Sequence, residues 1–265
     1  MNLTVLLFVP GDRPERFGKA VASGADAAIV DLEDAVAPAK KAEAREAARA
    51  AFAGGLDACL RINQPSNEFG EADLAAFAGL HPRAILVPKV ESAEEIADIH
   101  PGAPLIALIE SVRGLRNIDA IAAEPTVIAL GFGAFDLCAE LGAQPTPEIL
   151  GPYRSAVVCA ARLAKKAALD APFLGIGDET GLRDDARRAV AYGFDGKLAI
   201  HPSHVGPLRE AFTPSADEVR HARAILEAVE RGGVAVVDGK MVDPPLVASA
   251  RRTLSRVPST NGEHR

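Results

Sequence analysis

Eight short apolar runs, separated by stretches with helical periodicity, constrain this chain more than any other feature of it. The runs are Leu3–Phe8, Ala27–Leu32, Ala58–Ile62, Ala84–Val87, Leu105–Ile109, Val127–Leu130, Phe173–Ile176 and Lys197–Ile200. They are nearly continuous in apolarity, as strands covered on both faces must be. Between them lie helical patterns at Glu15–Ser23, Ala39–Phe52, Glu71–Phe77, Ala93–Asp98, Leu115–Ala123, Tyr153–Leu169 and Leu182–Tyr192. Alternation of strand and helix predicts parallel pairing. Eight such units predict a closed (β/α)8 barrel rather than an open sheet, and 265 residues suit one barrel.

Beyond the eighth unit the pattern changes. A helix over Asp217–Glu230 precedes Gly232-Gly233. Val234–Asp238, Gly239 and Lys240-Met241-Val242-Asp243-Pro244-Pro245 read as a hairpin, and a last helix covers Leu246–Arg256. The expected layout is a barrel over 1–230, a C-terminal lid segment over 231–258 and a frayed tail over 259–265. The Pro-rich stretch Gly142–Pro152 reads as a mobile loop.

Hydrophobic residues make up 48% of the chain and charged residues 25%, enough for a large core. The net charge of -7 gives no general attraction for nucleic acid or anionic membrane, so an anionic substrate must be held by a few local cations. Cys59, Cys138 and Cys159 lack metal-ligand spacing and read as buried, reduced thiols. The N-terminus runs straight into a strand pattern, so no signal peptide is expected, and no apolar run reaches membrane-spanning length. Cytoplasmic residence is the expectation.

Polar groups recur where strands end: Pro10-Gly11-Asp12-Arg13, Asp31-Leu32-Glu33-Asp34, Arg61-Ile62-Asn63-Gln64, Pro88-Lys89, Glu110-Ser111 and His201-Pro202. In a barrel these ends share one face and surround one site. Glu110 ends the fifth strand and Asp136 follows the sixth. Together they suit one hard cation, with coordination positions left for water and substrate oxygens. Alternatively, each caps the helix that follows it. Gly131-Phe132-Gly133 lacks the third glycine of a dinucleotide fingerprint. Its glycines instead let backbone N–H groups approach a carboxylate at a helix start, which makes Ala134 and Phe135 candidate substrate contacts. The planar fork of Arg61 suits a carboxylate or a developing enolate oxygen. It also suits an ion pair with Glu33 or Asp34, the two supporting acids. Lys89 and Lys197 near strand ends raise the option of a Schiff base, but a carboxylate pair nearby favours metal chemistry. His201 reads as a turn residue. Arg13 and Lys19 either meet phosphates or decorate the first helix.

Taken together, the segments resemble the citrate lyase β-subunit-like branch of the HpcH/HpaI aldolase family. The matching pieces are Leu7-Phe8-Val9-Pro10-Gly11-Asp12-Arg13-Pro14-Glu15-Arg16-Phe17, Asp31-Leu32-Glu33-Asp34-Ala35-Val36, Arg61-Ile62-Asn63, Pro88-Lys89-Val90-Glu91-Ser92, Ile109-Glu110-Ser111, Gly133-Ala134-Phe135-Asp136-Leu137, Gly193-Phe194-Asp195-Gly196-Lys197, Ala199-Ile200-His201-Pro202 and Met241-Val242-Asp243. They span nearly the whole chain, in order. The resemblance implies a TIM-like barrel assembled as homotrimers or hexamers, with a C-terminal extension packed on a neighbouring subunit. It implies Mg2+ on Glu110 and Asp136, substrate on Arg61, and coenzyme A near Phe8, Arg13 and Lys19. It also brings Asp243 into the neighbouring subunit's site. The expected reaction cleaves or forms a carboxylated 3-hydroxyacyl-CoA, with acetyl-CoA and a keto acid as the other side, and Arg61 and Asp243 as catalytic groups. The rival expectations are a metal-dependent aldolase acting on free pyruvate and a β-subunit of a larger citrate lyase complex.

Overall fold

Eight parallel strands close into a barrel in chain order, with the last pairing back to the first. They are β1 (Val5–Pro10), β2 (Ala27–Asp31), β3 (Cys59–Arg61), β4 (Ile85–Val87), β5 (Leu105–Ile109), β6 (Val127–Phe132), β7 (Ala167–Asp170) and β8 (Gly196–Ala199). The structure is a computed structural model and describes residues 3–97, 99, 103–230 and 236–257. The flanking helices are α1 (Phe17–Val21), α2 (Lys41–Ala53), α3 (Glu68–Phe77), α4 (Glu94–Ala97), α5 (Val112–Arg116), α6 (Ile118–Ala123), α7 (Ala134–Leu141), α8 (Pro147–Leu163) and α9 (Glu179–Tyr192), followed by α10 (Val205–Phe212). The expected α/β barrel is the fold observed. Among the described residues no helix is long and apolar enough to cross a membrane.

Inward-facing residues of alternate parity fill the barrel. Leu6, Ile29, Cys59, Leu86, Ile106, Leu108, Ala129, Leu169 and Leu198 form one buried cluster. Side chains alternate along a strand. The parity that fills the core therefore also sends Phe8, Asp31, Arg61 and Glu110 inward at the C-terminal mouth.

Three local expectations are corrected. The seventh strand is Ala167–Asp170, not Phe173–Ile176. Its Ala-Ala-Leu composition reads as the end of a helix, but pairing with β6 and burial override that propensity. Lys165, in the left-handed region at φ 58°, turns the chain out of α8. Phe173–Ile176 instead lies in the β7–α9 loop, where Leu174 and Ile176 are exposed. The Pro-rich stretch is a loop only up to Thr146, whose hydroxyl caps α8 by accepting from the Ile149 N–H. Pro147 then takes the first helical position, where its missing N–H costs nothing. Cys59 and Cys138 are buried as expected, but Cys159 is exposed. On α8 the buried positions are Leu150, Gly151, Arg154, Val157, Ala160 and Ala161, and Cys159 falls off that stripe.

The chain divides into two compact units, the second beginning at Arg209. This unit takes in α11 (Ala216–Glu230), a hairpin of β9 (Val236–Val237) and β10 (Lys240–Met241), and α12 (Pro244–Ser255). The sequence pattern places α11 with the barrel instead, in a domain running to residue 230. Buried Ala222, Ile225 and Ala250 form this unit's own core, with Val237, Val242 and Leu246 packed on it. The hairpin turns through Asp238 (φ 49°) and Gly239 (φ 74°). Two successive left-handed residues match the twist of a two-residue hairpin, and Asp-Gly supplies them at low cost. Gly232-Gly233, Val234 and the 259–265 tail lie outside the described residues.

Candidate active site

Register brings the central pair together. Asp31 and Arg61 are Cα partners at the ends of β2 and β3, and both point inward. Arg61 Nε donates to Asp31 Oδ1 at 2.7 Å and Nη2 donates to Oδ2 at 2.6 Å. Asp31 is buried and also accepts the N–H groups of Glu33 and Ala35, which fixes its carboxylate. On its other flank Arg61 Nη1 lies 2.8 Å from Glu33 Oε2 and 3.6 Å from Asp34 Oδ2. The Glu33 contact is an ion pair without hydrogen-bond alignment, since Oε2 has no hydrogen-bond partner. The guanidinium lies over the Phe8 ring, 4.7 Å from its centroid. Burial opposes the Arg61 charge, but Asp31, Glu33 and Asp34 outweigh it and hold the group more firmly protonated than an ordinary arginine.

A second group lies beside the first. Glu110 is buried at the end of β5, and Asp136 sits half-exposed in the first turn of α7. Between them stands Lys89. Its ammonium donates to Glu33 Oε1 at 2.8 Å and lies 3.5 Å from Asp136 Oδ1 and 4.0 Å from Glu110 Oε1. Its backbone N–H donates to Glu110 Oε1 at 2.7 Å. Burial, then repulsion from Glu33 and Asp136, pushes the Glu110 carboxyl up to about 7 against the pull of Lys89. Burial likewise raises Glu33, partly offset by Arg61 and Lys89. Lys89 moves the other way: burial disfavours its charge, but Glu33, Glu110 and Asp136 overcome that and hold it above the ordinary lysine range. A lysine so firmly protonated is a poor Schiff-base nucleophile.

Neither acid makes an N-cap hydrogen bond, although Asp136 sits in the first turn of α7. Ser111, not Glu110, caps α5, accepting from the Gly114 N–H at 3.0 Å. Gly133 occupies the cap position of α7 and offers no side chain. Gly133 has a different task. A Cβ built there would overlap the Glu110 Cβ and Oε2, so the missing side chain makes room for the carboxylate of the adjacent strand. Ala134 and Phe135 follow it at the helix start.

Phe8 also lines a cavity of about 310 Å³ with Pro10, Arg16, Lys19, His201 and Pro202. Lys19 and Arg16 are the cations among its lining residues, and Arg13 is not one of them. Arg13 is exposed and sits 3.9 Å from Asp12. Lys197 is not at the mouth. Leu198 takes the inward parity, so Lys197 faces the helices, fully buried with Asp170 (2.5 Å) and Asp185 (2.6 Å). Arg154 completes that group, 2.9 Å from each acid. In the second unit, exposed Asp243 caps α12, accepting from the Leu246 N–H at 3.0 Å.

Sequence reasoning named Glu33 and Asp34 as partners of Arg61 and missed Asp31. The available signal was register: residues ending adjacent parallel strands with the same parity stand side by side. By sequence alone Lys89 reads as a nucleophile and Gly133 as backbone for a ligand.

Known proteins resemble this chain over nearly its whole length. Residues 4–202 match the family model HpcH/HpaI aldolase/citrate lyase. A citrate lyase subunit beta-like protein of Mycobacterium tuberculosis is 39% identical, covering 97% of this chain and 96% of its own. A (3S)-malyl-CoA thioesterase of Cereibacter sphaeroides is 38% identical, covering 95% and 93%. The crystal structure of CitE from M. tuberculosis in complex with magnesium, acetoacetate and coenzyme A superposes with a TM-score of 0.87 at 38% identity, over 96% of this chain and 98% of that one. The chain belongs to the HpcH/HpaI aldolase/citrate lyase family.

Proposed function

We propose that this carbon–carbon lyase cleaves, or forms, a carboxylated 3-hydroxyacyl-CoA, with acetyl-CoA and a keto acid on the other side of the equilibrium. The observation that carries the reading is the meeting, at one barrel mouth, of a clamped guanidinium and two carboxylates that cap no helix. A related structure holding magnesium, a keto acid and coenzyme A supports it.

The residues present fit Mg2+. Glu110 and Asp136 offer only hard oxygen donors, and both already face a positive charge, the Lys89 ammonium. Buried Glu110 is costly as a free anion and gains from a cation. Among the described residues no cluster of three or more His, Cys, Asp or Glu forms a complete metal cage. Mg2+ needs none, because it commonly takes one or two carboxylates and fills its shell with water and substrate. When bound it would polarise substrate oxygens as a Lewis acid.

The chain's own groups do the rest. Asp31 and Glu33 hold Arg61 in one orientation before substrate arrives, so its remaining N–H donors face the oxygen that gains charge as the carbon–carbon bond breaks. Preorganisation of this kind avoids reorganisation during reaction. Ala134 and Phe135, at the start of α7, present backbone to a substrate carboxylate. The cavity beside Phe8 has apolar walls with Arg16 and Lys19 at its edge, which suits a thioester arm ending in phosphates. Asp243 of a neighbouring subunit in a homotrimer or hexamer would exchange the proton at the enolate carbon. The test is a panel assay: pure protein with Mg2+ against citryl-, malyl-, citramalyl- and hydroxymethylglutaryl-CoA and against the corresponding free acids. Turnover confined to the thioesters supports the reading. Equal turnover of pyruvate-derived free acids supports the aldolase instead.

A further inference from the structure

We infer that Lys89 is a positioning residue that sets how tightly the barrel mouth holds a divalent cation. Its ammonium is the resident counter-ion of Glu110 and Asp136, and an arriving cation must share those carboxylates with it. The inference rests on the reading of Glu110 and Asp136 as cation ligands.

Backbone geometry points there first. Lys89 adopts φ 51°, a left-handed conformation that a side-chain-bearing residue rarely takes without a reason. It follows buried Pro88 at the end of β4. The turn aims the Lys89 N–H at Glu110 Oε1, 2.7 Å away, while the side chain reaches Glu33 Oε1 at 2.8 Å. One residue thus fixes two carboxylates from different strand ends, by two different groups.

The contacts of the ammonium are unequal. Toward Glu33 it makes a hydrogen bond. Toward Asp136 and Glu110, at 3.5 and 4.0 Å, it contributes charge only. The tight contact is with the acid that also serves Arg61, and the loose contacts are with the two acids left for a metal. A cation can therefore enter between Glu110 and Asp136 without breaking the Lys89–Glu33 bond, but it enters against the ammonium's charge. The site is half-buried, so that repulsion is screened less than on an open surface. Lys89 thereby weakens the metal site while holding its ligands in place.

A purely structural role for Lys89 predicts the opposite sign. If the side chain merely braces the carboxylates, neutralising it should loosen them and weaken metal binding. Full-length protein stripped with EDTA is titrated calorimetrically with Mg2+ alone, comparing wild type with Lys89→Gln, Lys89→Met, Lys89→Arg and Glu110→Gln. Both neutral variants keep the backbone N–H that serves Glu110. They are expected to bind Mg2+ about tenfold more tightly than wild type, an order-of-magnitude Coulombic effect, and Lys89→Arg to return close to the wild-type value. Circular dichroism identifies any variant that fails to fold, and two neutral substitutions guard against losing one. Unchanged or weaker binding in the folded neutral variants, with Glu110→Gln still weakened, overturns the role of Lys89 and leaves the ligands standing. Glu110→Gln binding like wild type overturns the ligand assignment, and this inference with it.

Discussion

Asp31 and Arg61 end adjacent parallel strands in register and are joined by two hydrogen bonds of 2.7 and 2.6 Å. The pair presents a fixed guanidinium at the mouth rather than a wandering one. Lysine at 61 keeps the charge but loses the two-pronged geometry. Arg61→Lys is expected to lose about a hundredfold in kcat/KM, a cost on the scale of one lost transition-state donor, with little change in Tm. Arg61→Ala would leave Asp31 and Glu33 buried without their partner and destabilise the fold by about 3 kcal/mol. Steady-state kinetics and thermal melts separate the two effects. A lowered Tm with normal turnover in Arg61→Lys would make the arginine structural only.

Glu110→Ala and Asp136→Ala are expected to abolish Mg2+-dependent turnover while the circular dichroism spectrum and Tm stay near wild type, since neither packs the core. Gly133→Ala should act on the same site from the start of α7, beside the end of β5. Its methyl group would displace the Glu110 carboxylate, so Mg2+ affinity should fall at least about tenfold, a modest cost for misplacing one ligand. Full activity of the two alanine variants in excess EDTA would contradict the assignment.

Much of this site was legible in the sequence because strand parity is. Glu110 and Arg61 could be placed at one mouth from the spacing of apolar residues alone. What was not legible depends on neighbours across strands. Asp31 looked like one acid among three until register set it against Arg61. Lys89 looked like an optional nucleophile, and only its φ of 51° and the surrounding carboxylates show its direction. The seventh strand was misplaced because Ala167-Ala168-Leu169 is helix-forming in isolation and becomes strand only between β6 and β8. The second unit's start at Arg209 depends on the apolar contact of α11 with α12, which no local pattern announces.

The Lys197–Asp170–Arg154–Asp185 group makes a stability prediction with a definite pH sign. Burial alone would raise the Asp185 carboxyl, but Lys197 and Arg154 more than compensate and hold it below the usual 3.8. A carboxyl depressed in the folded state stabilises at pH above its ordinary value and loses that contribution as pH falls through the folded value. Asp185→Asn should therefore cost about 3 kcal/mol at pH 7, and the gap to wild type should narrow below about pH 4, the ordinary aspartate range. Urea denaturation at several pH values checks this. A gap that stays constant down to pH 3 would contradict it.

Asp243 makes a different kind of prediction, because in this structure it caps α12. If the acid also acts across a subunit boundary, Asp243→Asn and Arg61→Ala oligomers should each be nearly inactive, and subunit exchange between them should restore part of the activity. No recovery after proven exchange would rule out the trans arrangement. An Asp243→Asn variant that is less stable but fully active would leave only the helix cap.

The most direct test of the central claim is a single stoichiometry. EDTA-stripped protein is supplied with Mg2+ and a carboxylated 3-hydroxyacyl-CoA from the active panel, and acetyl-CoA and keto acid are measured together over time. No products are expected before Mg2+ is added, and afterwards both products in equal amounts. Free coenzyme A with the intact hydroxy acid, and no keto acid, would show that the mouth breaks the thioester rather than the carbon–carbon bond, and would contradict the account.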